Sequence, residues 1–103
     1  MNGGPGLMAD FYYSAEARRD LMGIWEYIAQ NDIDAADRVE KEIERAVRKL
    51  SANPAIGHVR RDLTLRGVRF WRVHSYLIAY SPETQPLEVV RILSGYRDIA
   101  ELL

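Results

Sequence analysis

The stretch Val68-Arg69-Phe70-Trp71-Arg72-Val73-His74-Ser75-Tyr76-Leu77-Ile78-Ala79-Tyr80-Ser81 decides the fold. Two runs of β-branched and aromatic residues, Val68 to Val73 and Tyr76 to Ser81, flank the pair His74-Ser75, which reads as a β-hairpin. A two-residue turn there puts Trp71, Val73, Tyr76 and Ile78 on one face and Phe70, Arg72, Leu77 and Ala79 on the other. His74-Ser75 lacks the Asn-Gly or Gly-X chemistry usual in such turns, so the turn alone fixes the register weakly.

Downstream, Pro82 to Pro86 makes a turn and Leu87 to Leu93 a last strand, with Arg97 to Leu103 as a short helix or a tail. Upstream, two amphipathic helices precede the hairpin. Ala9 to Tyr13 reads as a short aromatic strand ending at Ser14, an N-cap with Glu16 in the first turn behind it. Ala17, Leu21, Ile24, Trp25 and Ile28 then recur along one helical face. Asn31-Asp32-Ile33-Asp34 breaks this pattern, and Asp34 is the expected cap of a second helix. Its stripe is Ala36, Val39, Ile43, Ala46/Val47 and Leu50. Asn53-Pro54 stops it, because the residue before proline is pushed out of the α region. The short link between the helices makes them an antiparallel hairpin. The fold class is therefore α+β, in the order β-α-α-β-β-β: an N-terminal helical hairpin packed on one face of a small, mainly antiparallel sheet. The other face is expected to be open and to carry some of the arginines.

The 103 residues allow one domain, read as 9–103 behind a Gly/Pro-containing leader, 1–8. Met8 is a candidate native start. No apolar run has bilayer-spanning length, so no membrane association is expected, and the absence of cysteine fits a cytoplasmic setting. The formal net charge of −1 hides a division. Residues 58–103 carry seven arginines against five acids, and Arg60, Arg61, Arg66, Arg69 and Arg72 cluster with Asp62 as the only acid among them. An acidic polypeptide or a phosphate backbone is the matching partner.

Few chemistries suit these residues. His58 and His74 are the only histidines, and with no cysteine and no HExxH spacing neither a metal site nor a cofactor is expected. No P-loop, GxSxG or GxGxxG string occurs. Asp37, Glu40 and Glu44 read as a solvated helix face beside Arg38, Lys41, Arg45 and Arg48. Trp25 and Trp71 sit in apolar frames and read as core. The arginines stand out, because Arg72 and Arg91 lie inside strands where a charge needs a solvated face or an anion. Tyr96 and Arg97 extend the same basic character past the last strand. A plain solvated basic face is the competing reading.

Four strings in this order resemble the RelE/ParE toxin superfamily. They are Ser14-Ala15-Glu16-Ala17-Arg18-Arg19-Asp20-Leu21 continuing into Ile24-Trp25-Glu26-Tyr27-Ile28-Ala29, then Asn53-Pro54-Ala55-Ile56-Gly57, then Tyr76-Leu77-Ile78-Ala79-Tyr80, and Val90-Arg91-Ile92-Leu93-Ser94-Gly95-Tyr96-Arg97-Asp98. Together they span nearly the whole chain from Phe11. The resemblance implies the toxin of a type II toxin–antitoxin pair. RelE-like members cleave mRNA on the ribosome, whereas ParE-like members are associated with poisoning DNA gyrase. Aligned on the tyrosine strand, the RelE-type basic positions fall on Val68, Phe70 and Leu77 and the terminal tyrosine on Leu103; only the exit arginine is kept, as Arg97. RNA cleavage needs a cation for the developing phosphorane charge and a group to move the 2′-hydroxyl proton, and valine, phenylalanine and leucine supply neither.

The resemblance therefore favours the ParE branch, with no catalytic residue, DNA gyrase as target and a cognate ParD-like antitoxin as partner in a hetero-oligomer. Many ParE-like sequences have histidine where Ser94 stands, and this chain departs there. A RelE-like ribonuclease using Arg72, Tyr96 and Arg97, and an inert binding module on the same fold, are the alternatives. Antitoxin or target contacts are expected at Arg69, Arg72, Arg91, Tyr96 and Arg97, from charge and strand position.

Overall fold

The computed structural model describes residues 10–63 and 67–95. The leader, Arg66, Tyr96, Arg97 and the C-terminal helix or tail lie outside the described residues. The order is β1 (Phe11–Tyr13), α1 (Ala15–Ala29), α2 (Ile33–Ala52), a 3₁₀ turn (Pro54–Ile56), β2 (Arg69–Val73), β3 (Tyr76–Ser81) and β4 (Leu87–Ser94). Strands lie in the order β1-β4-β3-β2, with β1 parallel to β4 and the other two pairings antiparallel. This is the α+β arrangement expected from the sequence.

The hairpin register is the expected one, with Trp71 opposite Ile78 and Arg72 opposite Leu77. His74 accepts a φ of 56°, uncommon for a residue with a side chain, and its ring contacts Glu42 of α2. That contact holds the hairpin tip against the helix layer. Burial reinforces the register: Ile78 and Tyr80 face the helices in a core with Ile24, Ile43, Val47, Leu50, Val89 and Ile92. A one-residue slip would turn this set outward.

Capping explains where the helices begin. Ser14 starts α1 as expected, its hydroxyl accepting from the Ala17 N–H and donating to the Val90 carbonyl of β4. The second cap is Asp32, not Asp34. Asp32 has an extended backbone and accepts from the Ala35 N–H at 3.0 Å, which leaves Asp34 in the first turn. Ile33, within the stretch read as a breaker, is the first helical residue and is exposed. At the far end Asn53 closes α2, as the following proline requires.

The second sheet face is not bare. Leu63, Phe70, Ala79 and Leu93 form a small buried cluster there, with Val68 and Leu77 packed against it. Leu63 comes from the loop after His58, which bridges to Phe70 along the outer edge of β2. Of the two tryptophans, Trp71 is half-buried against the main core beneath Lys49, 5.0 Å from its ring centre. Trp25 donates to Asp37 at 2.8 Å and so ties α1 to α2.

Candidate partner-binding surface at the hairpin end

At one end of the sheet the chain is clamped. The bend Asn53–Gly57 wraps the Tyr80 hydroxyl, which donates to the Pro54 carbonyl at 2.6 Å and accepts from the Gly57 N–H at 2.9 Å. Arg69 donates to the Gly57 carbonyl at 2.8 Å. Gly57 is required here by space. A Cβ on it would lie 2.7 and 2.8 Å from Cε1 and Cζ of Tyr80, and nearer still to the hydroxyl. Burial pushes the Tyr80 hydroxyl pKa up, opposed by its Gly57 hydrogen bond and the Arg69 charge.

Midway along β4, Arg91 reaches Asp20 of α1 through Nε at 2.8 Å and Nη2 at 3.1 Å, and the same carboxylate accepts from the Ile92 N–H. The pair is largely covered, with side-chain exposures of 30% and 16%. In this geometry Arg91 and Asp20 close the edge of β4 that β1 leaves open beyond Val89.

The opposite end is built differently. Two clefts meet at the hairpin tip, sharing Ser75, Tyr76 and Gly95. One, of ≈ 370 Å³, has Phe70 and Leu77 in its lining with Arg60, Arg72 and His58. The other, of ≈ 610 Å³, runs along α1 past Arg19, Gly23 and Tyr27 and reaches Ser94. Tyr27 is 72% exposed. Burial, then the neighbouring Tyr27, pushes the Tyr76 hydroxyl pKa up. Arg60 forms a two-point pair with Asp62 at 3.1 and 2.8 Å and holds that carboxyl below the usual range by its hydrogen bonds. Arg72 is exposed and makes no ion pair among the described residues.

Of the arginines singled out in the sequence as contacts, the three among the described residues are not brought together. Arg69 braces the bend at the clamped end, Arg91 is held by α1, and Arg72 projects beside the hairpin tip on the other face from Arg69. Tyr96 and Arg97 lie outside the described residues. The sequence assigns no role to Gly23 or to Tyr27, although a glycine inside an amphipathic helix and a tyrosine off its apolar stripe are both visible there. Among the described residues no group of three His, Cys, Asp or Glu is placed to hold a metal ion. No helix among them is long and apolar enough to cross a membrane.

The positions that would carry RelE-type bases are filled with packing. Phe70 is 1% exposed, and Val68 and Leu77 lie against the cluster it forms with Leu63, Ala79 and Leu93.

No curated protein matches the sequence. A chain from the chromosomal ParDE TA system of P. aeruginosa has the same fold, with a TM-score of 0.70 at 19% identity, covering 86% of this chain and 98% of that one. The family model for the ParE toxin of type II toxin–antitoxin systems, parDE, matches residues 11–99. All four quoted strings fall within this span, and the chain belongs to the ParE toxin family.

Proposed function

We propose that this ParE-type toxin acts without catalysis, by binding DNA gyrase, and that a cognate ParD-like antitoxin neutralises it in the cytoplasm by forming a complex with the toxin domain, residues 9–103. The observation that carries the non-catalytic reading is the packed cluster around Phe70 and Leu77, where an RNA-cleaving relative needs cations. Buried aromatic and aliphatic side chains can neither stabilise a phosphorane nor move a proton. The family match supports the toxin–antitoxin pairing.

Of the expected contacts, Arg72 is the best placed to meet an anionic partner, because it is exposed, lines a cleft and is in no ion pair among the described residues. Arg69 and Arg91 contribute by holding the strands that present it, and Tyr96 and Arg97 would extend the surface beyond β4.

The test is supercoiling of relaxed plasmid by purified gyrase, titrated with the toxin alone and with its antitoxin. Inhibition that the antitoxin reverses is the expected result. Unaffected gyrase together with cleavage of ribosome-bound mRNA would replace this reading with the ribonuclease one.

A further inference from the structure

Among the described residues nothing requires position 23 to be glycine. It lies in the middle of α1, where only proline is less favourable. Its φ is not positive, and apart from its chain neighbours and its own helix backbone a Cβ built on it meets no described atom within 4 Å. Neither backbone geometry nor packing demands the missing side chain. Gly57 shows the contrast, since its Cβ would strike the Tyr80 ring.

What surrounds Gly23 is open space with defined walls. Arg19 and Tyr27, one helical turn away on either side, make a ridge along the ≈ 610 Å³ cleft. Ile24 and Ile92 supply aliphatic lining, and Tyr76 stands on the hairpin. Through Ser75, Tyr76 and Gly95 this cleft continues into the one beside Arg72. Among the described residues the single carboxylate in the lining of either cleft is Asp20, and both its oxygens are occupied by Arg91 and the Ile92 N–H. The trough therefore offers cations near both ends and an apolar middle, and the exposed carboxylate beside it, Asp62, is engaged by Arg60 and not by Arg19 or Arg72.

We propose that Gly23 is a notch in a docking trough for an acidic peptide segment, whose large apolar side chain seats over Gly23 between Arg19 and Tyr27. Carboxylates of the same segment reach Arg19 at one end and Arg72 at the other. The inference rests on the toxin–antitoxin reading, with the antitoxin supplying the segment. A peptide fits better than a nucleic acid because, although Arg19 and Arg72 would meet a carboxylate or a phosphate alike, the aliphatic lining between them from Ile24 and Ile92 matches an aliphatic side chain and gives a nucleotide no hydrogen-bond partner.

The test places Gly23→Ala and Gly23→Leu in the full chain and measures thermal melting and the Kd for the purified cognate antitoxin. Both variants should melt at or above the unsubstituted temperature, because each residue favours a helix more than glycine does. The Leu variant should bind the antitoxin about tenfold or more weakly, with Ala between. Trimming the opposing apolar antitoxin residue to alanine should return affinity to the Leu variant. Unchanged affinity in Gly23→Leu would overturn the notch, as would a lowered melting temperature in both variants. Weakened binding to a DNA duplex with antitoxin affinity intact would assign the trough to nucleic acid instead. Absence of antitoxin binding by the unsubstituted chain would remove the toxin–antitoxin reading itself, and the trough with it.

Discussion

The two ends of this sheet solve opposite problems. At the Tyr80 end a hydroxyl, an N–H, two carbonyls and a guanidinium answer one another inside the protein. At the Tyr76 end, four residues earlier on the same strand, the described residues leave Tyr27 exposed, Arg72 without an ion pair and the helical Gly23 facing open space. Satisfied polar groups and close packing stabilise a fold but leave nothing for a partner. Unanswered cations beside apolar clefts add little to stability and are what a partner can use. The difference teaches that charge in the sequence does not say which arginine is left open to a partner. What the rest of the chain does with that charge decides it.

The sharpest way to break the contrast is Gly57→Ala. A Cβ there must displace the Tyr80 ring and with it the hydrogen bonds to Pro54 and Gly57. The expected loss is about 3 kcal/mol, combining overpacking with a buried polar group left unanswered. Chemical denaturation would measure it, and a loss below about 1 kcal/mol would mean the clamp is slack. Next in size is Asp20→Ala, which removes the partner of Arg91 and leaves the Ile92 N–H without its acceptor. Because the pair is only partly covered, about 2 kcal/mol is expected. Amide exchange at Ile92 should rise in the variant; protection equal to the parent would show that another group caps that edge.

These two variants also show how much of the molecule the sequence disclosed. The helix stripes, the hairpin faces and the Ser14 cap follow from periodicity and residue type, because each depends on neighbours a few positions away. The four family-like strings could be quoted but not connected. Their connections are long-range: the Ser14 and Asp20 string grips β4 at Val90 and Arg91, and the Asn53–Gly57 string grips β3 at Tyr80. For the same reason Arg69 and Arg91 read as surface cations when they are structural anchors. Asp32 was obscured by a local effect, since an exposed isoleucine at the first helical position imitates a break in the pattern. Gly23 and Tyr27 are plain in the sequence, but only the hairpin tip packed opposite them makes a cleft of their neighbourhood.

The smallest expected change in stability belongs to Arg72→Glu, and that smallness gives the variant its value. Reversing Arg91 would disrupt the fold through Asp20, so weakened partner binding would not separate recognition from folding. Arg72 has no ion pair to lose among the described residues and sits on an exposed strand position, so stability should stay within about 0.5 kcal/mol of the parent. Antitoxin affinity should nevertheless fall, because the substitution puts an anion where the cleft now offers a cation. The loss should shrink as salt is raised, since a contact at an exposed site is screened. Unaltered affinity at low salt would leave the hairpin end with its clefts but without its charge, and would move the anionic contacts to Arg60 or Arg19, the other cations of the same trough.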